Sequence, residues 1–475
     1  MKKTAASPHP VLRFTWCLAA FIVGIVAACA TLPDVSYLRE RDALPAQEPT
    51  IVNARGMLAD DKKQALLDRL EAQAGGSDIL RRHIAAEEAI SGTALAAGNK
   101  VTLLDDGPMT MRAMMSAIRA ARDHINLETY IFEDDEVGRA LADLLIEKRA
   151  AGVRVNLIYD SVGTLDTPRE FFDRLRAAGI STLEFNPVNP LQASGDWELN
   201  RRDHRKLLVV DGRIAFTGGV NISKVYGKSS FLKSKRERGT PRDAREAAWR
   251  DTHMQIEGPA VAEFQKLFLD TWQRKTGAPP AAAHYFPPLA PQGKALVRAI
   301  GSTPERADYT IYKIYVSALA NAGKSAHLTT AYFVPDRQMV QAMLDAARRG
   351  VDVAIIFPSF TDVGMILYAG RAYYDQLLAA GIRVYERKNA MLHAKTAVID
   401  GVWATIGSTN LDMRSFLHND EINAVVLDAD FAARMEALFR RDLEESAEIT
   451  PQQWRRRGPV ERIKEWAVRL FAYWL

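Results

Sequence analysis

One ordered set of residues occurs twice in this chain, and that duplication limits the fold more than any other feature. The first copy is His204-Arg-Lys206-Leu-Leu-Val-Val-Asp211, followed by Gly218-Gly219-Val220-Asn221. The second is His393-Ala-Lys395-Thr-Ala-Val-Ile-Asp400, followed by Gly407-Ser408-Thr409-Asn410. The flanking patterns repeat as well. An extended run Ile125 to Phe132 leads through a helical segment ending at Ala151-Gly152 to Val153 to Asp160. Likewise, His327 to Val334 leads through a helical segment ending at Arg349-Gly350 to Val351 to Phe357. Phe171 to Ile180 parallels Tyr373 to Ile382. Strand, helix, glycine cap, strand is the pattern of a βαβ unit. The spacing therefore predicts an α/β protein of two similar lobes, each a mainly parallel β-sheet covered by helices and packed as a pseudo-dimer. The lobes span residues 99–279 and 295–448, joined by the Pro/Ala-rich linker 280–294. Residues 29–98 form a polar, partly helical N-terminal extension with no assigned role.

The repeated residues suit phosphate chemistry. In an extended segment residues two apart share a face, so His204 projects with Lys206, and His393 with Lys395. The apolar residues after each lysine bury the strand, and Asp211-Gly212 and Asp400-Gly401 make the turns out of it. Packed together, the lobes would offer two ammoniums and the amides of Asn221 and Asn410 to the non-bridging oxygens of a phosphodiester, with no metal or organic cofactor needed. One neutral imidazole could attack phosphorus while the other, protonated, gives its proton to the leaving alcohol.

The chain ends carry further information. Of 475 residues, 62 are Lys or Arg and 58 Asp or Glu. Much of the basic excess lies at the ends, leaving the body slightly acidic, so bulk charge gives no argument for a nucleic-acid partner. Lys2, Lys3 and Arg13 precede an apolar stretch from Phe14 to Ala28 that ends Val26-Ala27-Ala28-Cys29. This resembles a bacterial lipoprotein signal, with residues 1–28 removed and Cys29 acylated. The resemblance implies a lipid-anchored protein of the cell envelope that faces the periplasm, with Ala30 pointing to the outer membrane. The chain has two cysteines, and Cys17 lies in the part to be removed, so the mature chain would hold no internal disulfide. Residues 449–475 read as a basic amphipathic helix. Val460, Ile463, Ala467, Leu470 and Trp474 recur at helical spacing beside Trp466 and Phe471, and the pattern fits either a membrane surface or a docked terminal helix.

The duplicated His-x-Lys-x4-Asp pattern, with its Gly and Asn residues, resembles the signature of the phospholipase D superfamily over residues 99–448. Within it, Glu128 to Gly138, Arg201 to Asn221 and Gly407 to Ser415 are similar to bacterial cardiolipin synthases. The resemblance implies a phosphatidyltransferase working through a phosphohistidine, with His204 as nucleophile and His393 as general acid and base. Lys206, Lys395, Asn221, Asn410 and the Ser408 hydroxyl would hold the phosphate. Asp211 and Asp400 complete the catalytic motif, although they look structural. A carboxylate downstream of each motif, Asp251 in the first repeat and Glu421 in the second, would orient the histidines. Gly219 stands where the second copy has Ser408, which makes the half-sites unequal. The implied partners are phospholipids, phosphatidylglycerol among them, and a membrane surface. A hydrolytic phospholipase D would use the same residues. A nuclease fits the slightly acidic body less well, and a catalytically silent scaffold would not need both motifs intact.

Overall fold

The structure is a computed structural model that describes residues 31–39, 49–74, 83–189, 191, 198–229, 247–469 and 471. The expected signal segment 1–28, Cys29, Leu470 and Trp474 lie outside the described residues.

In the first repeat, β1 (Leu95–Leu104) leads through α1 (Gly107–Ala120) to β2 (His124–Thr129). Then α2 (Glu136–Ala150), β3 (Arg154–Asp160), α3 (Arg169–Ala177) and β4 (Ser181–Phe185) follow. The motif hairpin is β5 (Leu207–Val210) and β6 (Ile214–Gly218); β7 (His253–Glu257) and α4 (Val261–Thr276) close the lobe. The second repeat has the same order. It runs β8 (Ala295–Ser302), α5 (Thr310–Asn321), β9 (Ser325–Thr329), α6 (Arg337–Arg348) and β10 (Asp352–Pro358). The helix pair α7 (Gly364–Arg371) and α8 (Tyr374–Ala379) precedes β11 (Arg383–Arg387). The hairpin β12 (Thr396–Ile399) and β13 (Trp403–Gly407), then β14 (Asn419–Leu427) and α9 (Ala429–Glu444), complete it.

Pairing makes the likeness strict. The first sheet runs β1-β7-β6-β5-β2-β3-β4 and the second β8-β14-β13-β12-β9-β10-β11. Parallel pairing is found where helices cross over, between β2, β3 and β4 and between β9, β10 and β11. The motif strands come as hairpins, and a two-strand turn can only give antiparallel neighbours. An antiparallel join of β1 to β8 makes the two sheets continuous.

Local sequence accounts for the punctuation. Gly152, Gly179, Gly350 and Gly381 end their helices at φ 92°, 84°, 89° and 84°, where a side chain would clash with the backbone. In each hairpin the Asp-Gly pair sits at positive φ, 53° and 61° at Asp211-Gly212 and 53° and 67° at Asp400-Gly401. These are the two central residues of a type I′ turn, whose twist matches the strands it joins.

Strand alternation divides the core. Leu208 and Val210 face the layer of α1, α2 and α3, with Met114, Ile118, Leu141 and Leu145. Leu207 and Val209 face the opposite way, into a cluster shared by both repeats. That cluster holds Phe264 and Phe268 of α4, Phe431 and Met435 of α9, and Val398, Ile406 and Ile422 of the second sheet. Burying side chains of this size contributes about 1.5–3 kcal/mol each, so the lobes are held together by a common core. Strand β1 starts at Leu95, four residues ahead of the expected boundary at Asn99. Gly98 lies inside it at φ 92°, and the strand continues because Asn99 bonds Ala96 and Ala295 through its amide.

Candidate active site

Each motif histidine is docked onto a strand of the other lobe. The His204 amide donates to the Asp420 carbonyl at 2.9 Å, and Arg202–Asp203 pairs in parallel with Asn419–Asp420. The His393 amide donates to the Arg250 carbonyl at 2.8 Å, and Met391–Leu392 pairs in parallel with Trp249–Arg250. The carboxylate following each docking strand therefore meets the histidine of the opposite repeat. His204 Nδ1 lies 2.9 and 3.1 Å from the Glu421 oxygens, and His393 Nδ1 lies 2.7 Å from Asp251 Oδ2. The orienting carboxylates are thus Glu421 for the first motif and Asp251 for the second, crossed relative to sequence order.

The two lysines complete the centre. Lys206 Nζ donates to the His204 carbonyl at 2.5 Å and Lys395 Nζ to the His393 carbonyl. Both are buried. Burial, and the nearby charge of Lys395, draw Lys206 down to about 7; burial draws Lys395 down to about 8. Burial also lowers both histidines to about 4, with nearby ammoniums adding to the effect and the carboxylates opposing it. Burial would raise Asp251 and Glu421, but His393 and His204 respectively hold them below the ordinary range. At neutral pH the centre is two neutral imidazoles beside two carboxylates. A carboxylate at Nδ1 fixes the proton there and leaves Nε2 as the basic nitrogen.

His204 and His393 line one cavity of about 230 Å³, with Asn221, Asn410, Tyr130, Trp249, Tyr332 and Arg414 among its walls. Asn221 accepts from the Ile131 amide at 3.1 Å and donates to the Tyr226 hydroxyl at 3.2 Å, so its amide is held from both ends. Asn410 Oδ1 is buried without a partner among the described residues. Ser408 does not face the cavity as a phosphate ligand. Its hydroxyl donates to Glu421 and accepts from the Ile422 amide at 3.0 Å, so it positions the carboxylate. At Gly219 a Cβ would fall 2.1 Å from Asp251 Oδ1, so the first copy has no room for the serine of the second. Asp211 and Asp400 are not among the cavity residues. Asp211 accepts the amides of Arg122, Asp123 and His124 at 2.8–2.9 Å, and Asp400 those of Gly323, Lys324 and Ser325 at 2.7–3.0 Å. They tie the hairpin turns to the starts of β2 and β9.

An aromatic wall also surrounds the pair. Tyr130 meets His204 edge-on at 5.1 Å, and Trp249 and Tyr332 lie 4.9 and 6.3 Å from His393. The Tyr226 hydroxyl approaches His393 Nδ1 at 3.1 Å. Sequence reading missed these rings. Tyr130 and Tyr332 occupy matching places in the two repeats, which was the available signal.

Residues 114–231 and 315–443 match the family described as "Cardiolipin synthase, PLD-like domain". Cardiolipin synthase 2 of Bacillus cereus is 34% identical over 479 residues, covering 98% of this chain and 87% of that protein. The cardiolipin synthase of Geobacillus kaustophilus is 34% identical over 377 residues, covering 79% of this chain and 72% of its own length. A crystal structure of phosphatidylserine synthase from Haemophilus influenzae shares the fold, with TM-score 0.61 at 13% identity over 83% of this chain and all of that one. With two matched stretches that hold both motif histidines, and relatives similar over most of its length, the chain belongs to the cardiolipin synthase group of phospholipase D-like proteins.

Proposed function

We propose that this protein is a phosphatidyltransferase that moves a phosphatidyl group between phospholipids, with phosphatidylglycerol as acceptor and cardiolipin as product. The observation that carries this reading is the crossed pair of imidazoles in one cavity, each held at Nδ1 by a buried carboxylate, with a buried lysine bonded to the carbonyl of each histidine. His204 Nε2 attacks phosphorus, the bond to the departing alcohol breaks, and His393 as imidazolium supplies the proton that alcohol takes up. His393 then accepts the proton of the incoming hydroxyl, whose oxygen forms the new phosphoester bond as the P–N bond breaks. Lys206, Lys395 and Asn410 stabilise the charge on the non-bridging oxygens. The bound phosphodiester charge offsets the ammoniums that disfavour the imidazolium, which raises His393 toward a usable acid.

Water in place of the lipid hydroxyl would make the same residues a phospholipase D. Purified protein in detergent with labelled phosphatidylglycerol distinguishes the two. Cardiolipin with released glycerol is the expected product by mass spectrometry, whereas phosphatidic acid alone would mean hydrolysis. His204→Ala should form no covalent adduct, and full turnover by either His204→Ala or His393→Ala would sink the mechanism. Acylation at Cys29 and residence in the cell envelope belong to the same reading. Cys29→Ala should release the protein from membranes while the chemistry persists in detergent.

A further inference from the structure

We propose that the C-terminal helix α10 (Pro459–Arg469) and the start of α7 form a docking surface for an anionic phospholipid bilayer, set beside the mouth of the histidine cavity. The proposal rests on the phosphatidyl-transfer reading for what enters the cavity and adds how a bilayer is engaged.

The helix is turned opposite to a terminal helix that docks by its apolar face. Val460, Ile463 and Trp466, at three-residue spacing, are 60%, 63% and 66% exposed, and Phe471 just beyond is 58% exposed. Its buried residue is Glu465, which pairs with Arg457 at 3.0 Å, and Arg457 in turn bonds Asp375 of α8 at 2.7 Å. An amphipathic helix at a protein surface ordinarily buries its apolar stripe and wets its charges. Here ion pairs hold the helix to the body and the apolar stripe faces outward. Exposed Arg455, Arg456, Arg462, Lys464 and Arg469 surround that stripe. Cations around a row of Trp, Ile and Val complement an anionic lipid surface, with headgroup phosphates meeting the ring and acyl chains the stripe.

The surface leads into the cavity through one layer of side chains. Val468 and Tyr332 both pack against the cluster of Val334, Ile366 and Ala369, and Ile366 and Tyr332 line the cavity. Val363 also lines it and is 38% exposed, and Met365 beside it is 55% exposed. A bilayer seated on α10 would thus adjoin the α7 lip, and a lipid could pass over Val363 and Ile366 toward the histidines without leaving an apolar path.

Hydrogen exchange on the full chain tests this. Vesicles of phosphatidylglycerol mixed with phosphatidylcholine should slow exchange across 459–469 and 363–371 by about tenfold or more, with little change on pure phosphatidylcholine. The double variant Ile463→Glu/Trp466→Glu should lose about tenfold or more of turnover on the mixed vesicles yet stay within about twofold on dispersed short-chain phosphatidylglycerol. Four results would overturn the proposal: no slowing in either segment, equal slowing on both vesicles, slowing that follows protein concentration without vesicles, or equal activity loss on both substrates. The exchange measurement on the unaltered chain decides the matter even where the double variant does not fold. Vesicle-dependent slowing in a chain that makes no phosphatidyl product would keep the docking surface and defeat the transferase reading.

Discussion

Replacing each orienting carboxylate by its amide should harm the two half-sites very unequally. Asp251 Oδ1 accepts the Thr252 amide at 2.7 Å, and Oδ2 meets His393 Nδ1 at 2.7 Å. In Asp251→Asn the fixed backbone donor of Thr252 demands an oxygen, so the amide nitrogen must face His393. It donates to Nδ1, the Tyr226 hydroxyl at 3.1 Å can donate there too, and the ring is held with its proton on Nε2. A wrong tautomer behind a buried carboxylate costs about 10⁴-fold in kcat, or about 5 kcal/mol of transition-state stabilisation. Glu421→Gln escapes this. Oε1, at 2.9 Å from His204 and 3.3 Å from the Asn419 amide, keeps the oxygen. The new NH₂ then faces Ser408, whose hydroxyl can accept it and turn its own proton to the Ile422 carbonyl at 3.3 Å. Only the charge is lost, a difference of about 1–2 kcal/mol or roughly tenfold in rate. Single-turnover kinetics on labelled phosphatidylglycerol, with circular dichroism to show both variants folded, measure the contrast. A substrate with a p-nitrophenol leaving group, which departs without a proton, should restore the first step of Asp251→Asn. Equal losses in the two variants, or a larger loss in Glu421→Gln, would refute the reasoning.

Four further outcomes follow from the same geometry. Since His204 gains a proton below about 4 and Lys206 and Lys395 lose theirs through about 7 and 8, kcat/KM should fall on the acid side near 4 and on the alkaline side between about 7 and 8. Lys206→Arg, which stays charged, should move the alkaline limb upward in the pH profile. Gly219→Ala places a methyl 2.1 Å from the Asp251 carboxylate, so it should lower stability by about 1–3 kcal/mol in denaturant titration and activity by about 10²-fold or more. Asp211→Ala strips three backbone amides of their acceptor and should cost about 2–5 kcal/mol of stability, while kcat of the folded fraction stays near that of the unaltered protein.

The repeat was legible because its punctuation is chemically narrow. Only glycine suits the helix ends at Gly152 and Gly350, and Asp-Gly at Asp211 and Asp400 is a turn signal that periodicity reinforces. The histidines, lysines and asparagines could be named for the same reason, since two copies at one spacing are hard to explain by packing. What sequence could not show was partnership across the duplication. Asp251 and Glu421 each follow one motif in the chain, yet backbone pairing with the opposite lobe delivers each to the other histidine. Ser408 read as a ligand because a hydroxyl beside an asparagine has no visible direction until Glu421 is placed next to it. The stripe on α10 was legible from its spacing, but its outward orientation goes with the burial of Glu465 against Arg457, which in turn bonds Asp375 of α8, and spacing does not encode those contacts.

The crossed carboxylates also make the chemistry conditional on assembly. Under the proposed mechanism, a half-folded chain, or either repeat alone, would present its histidine without the group that sets its proton, and would be a poor nucleophile toward lipid met too early. Reactivity begins when Asn419–Asp420 meets Arg202–Asp203 and Trp249–Arg250 meets Met391–Leu392. Catalytic competence in this molecule is therefore a report that its two repeats have closed on one another.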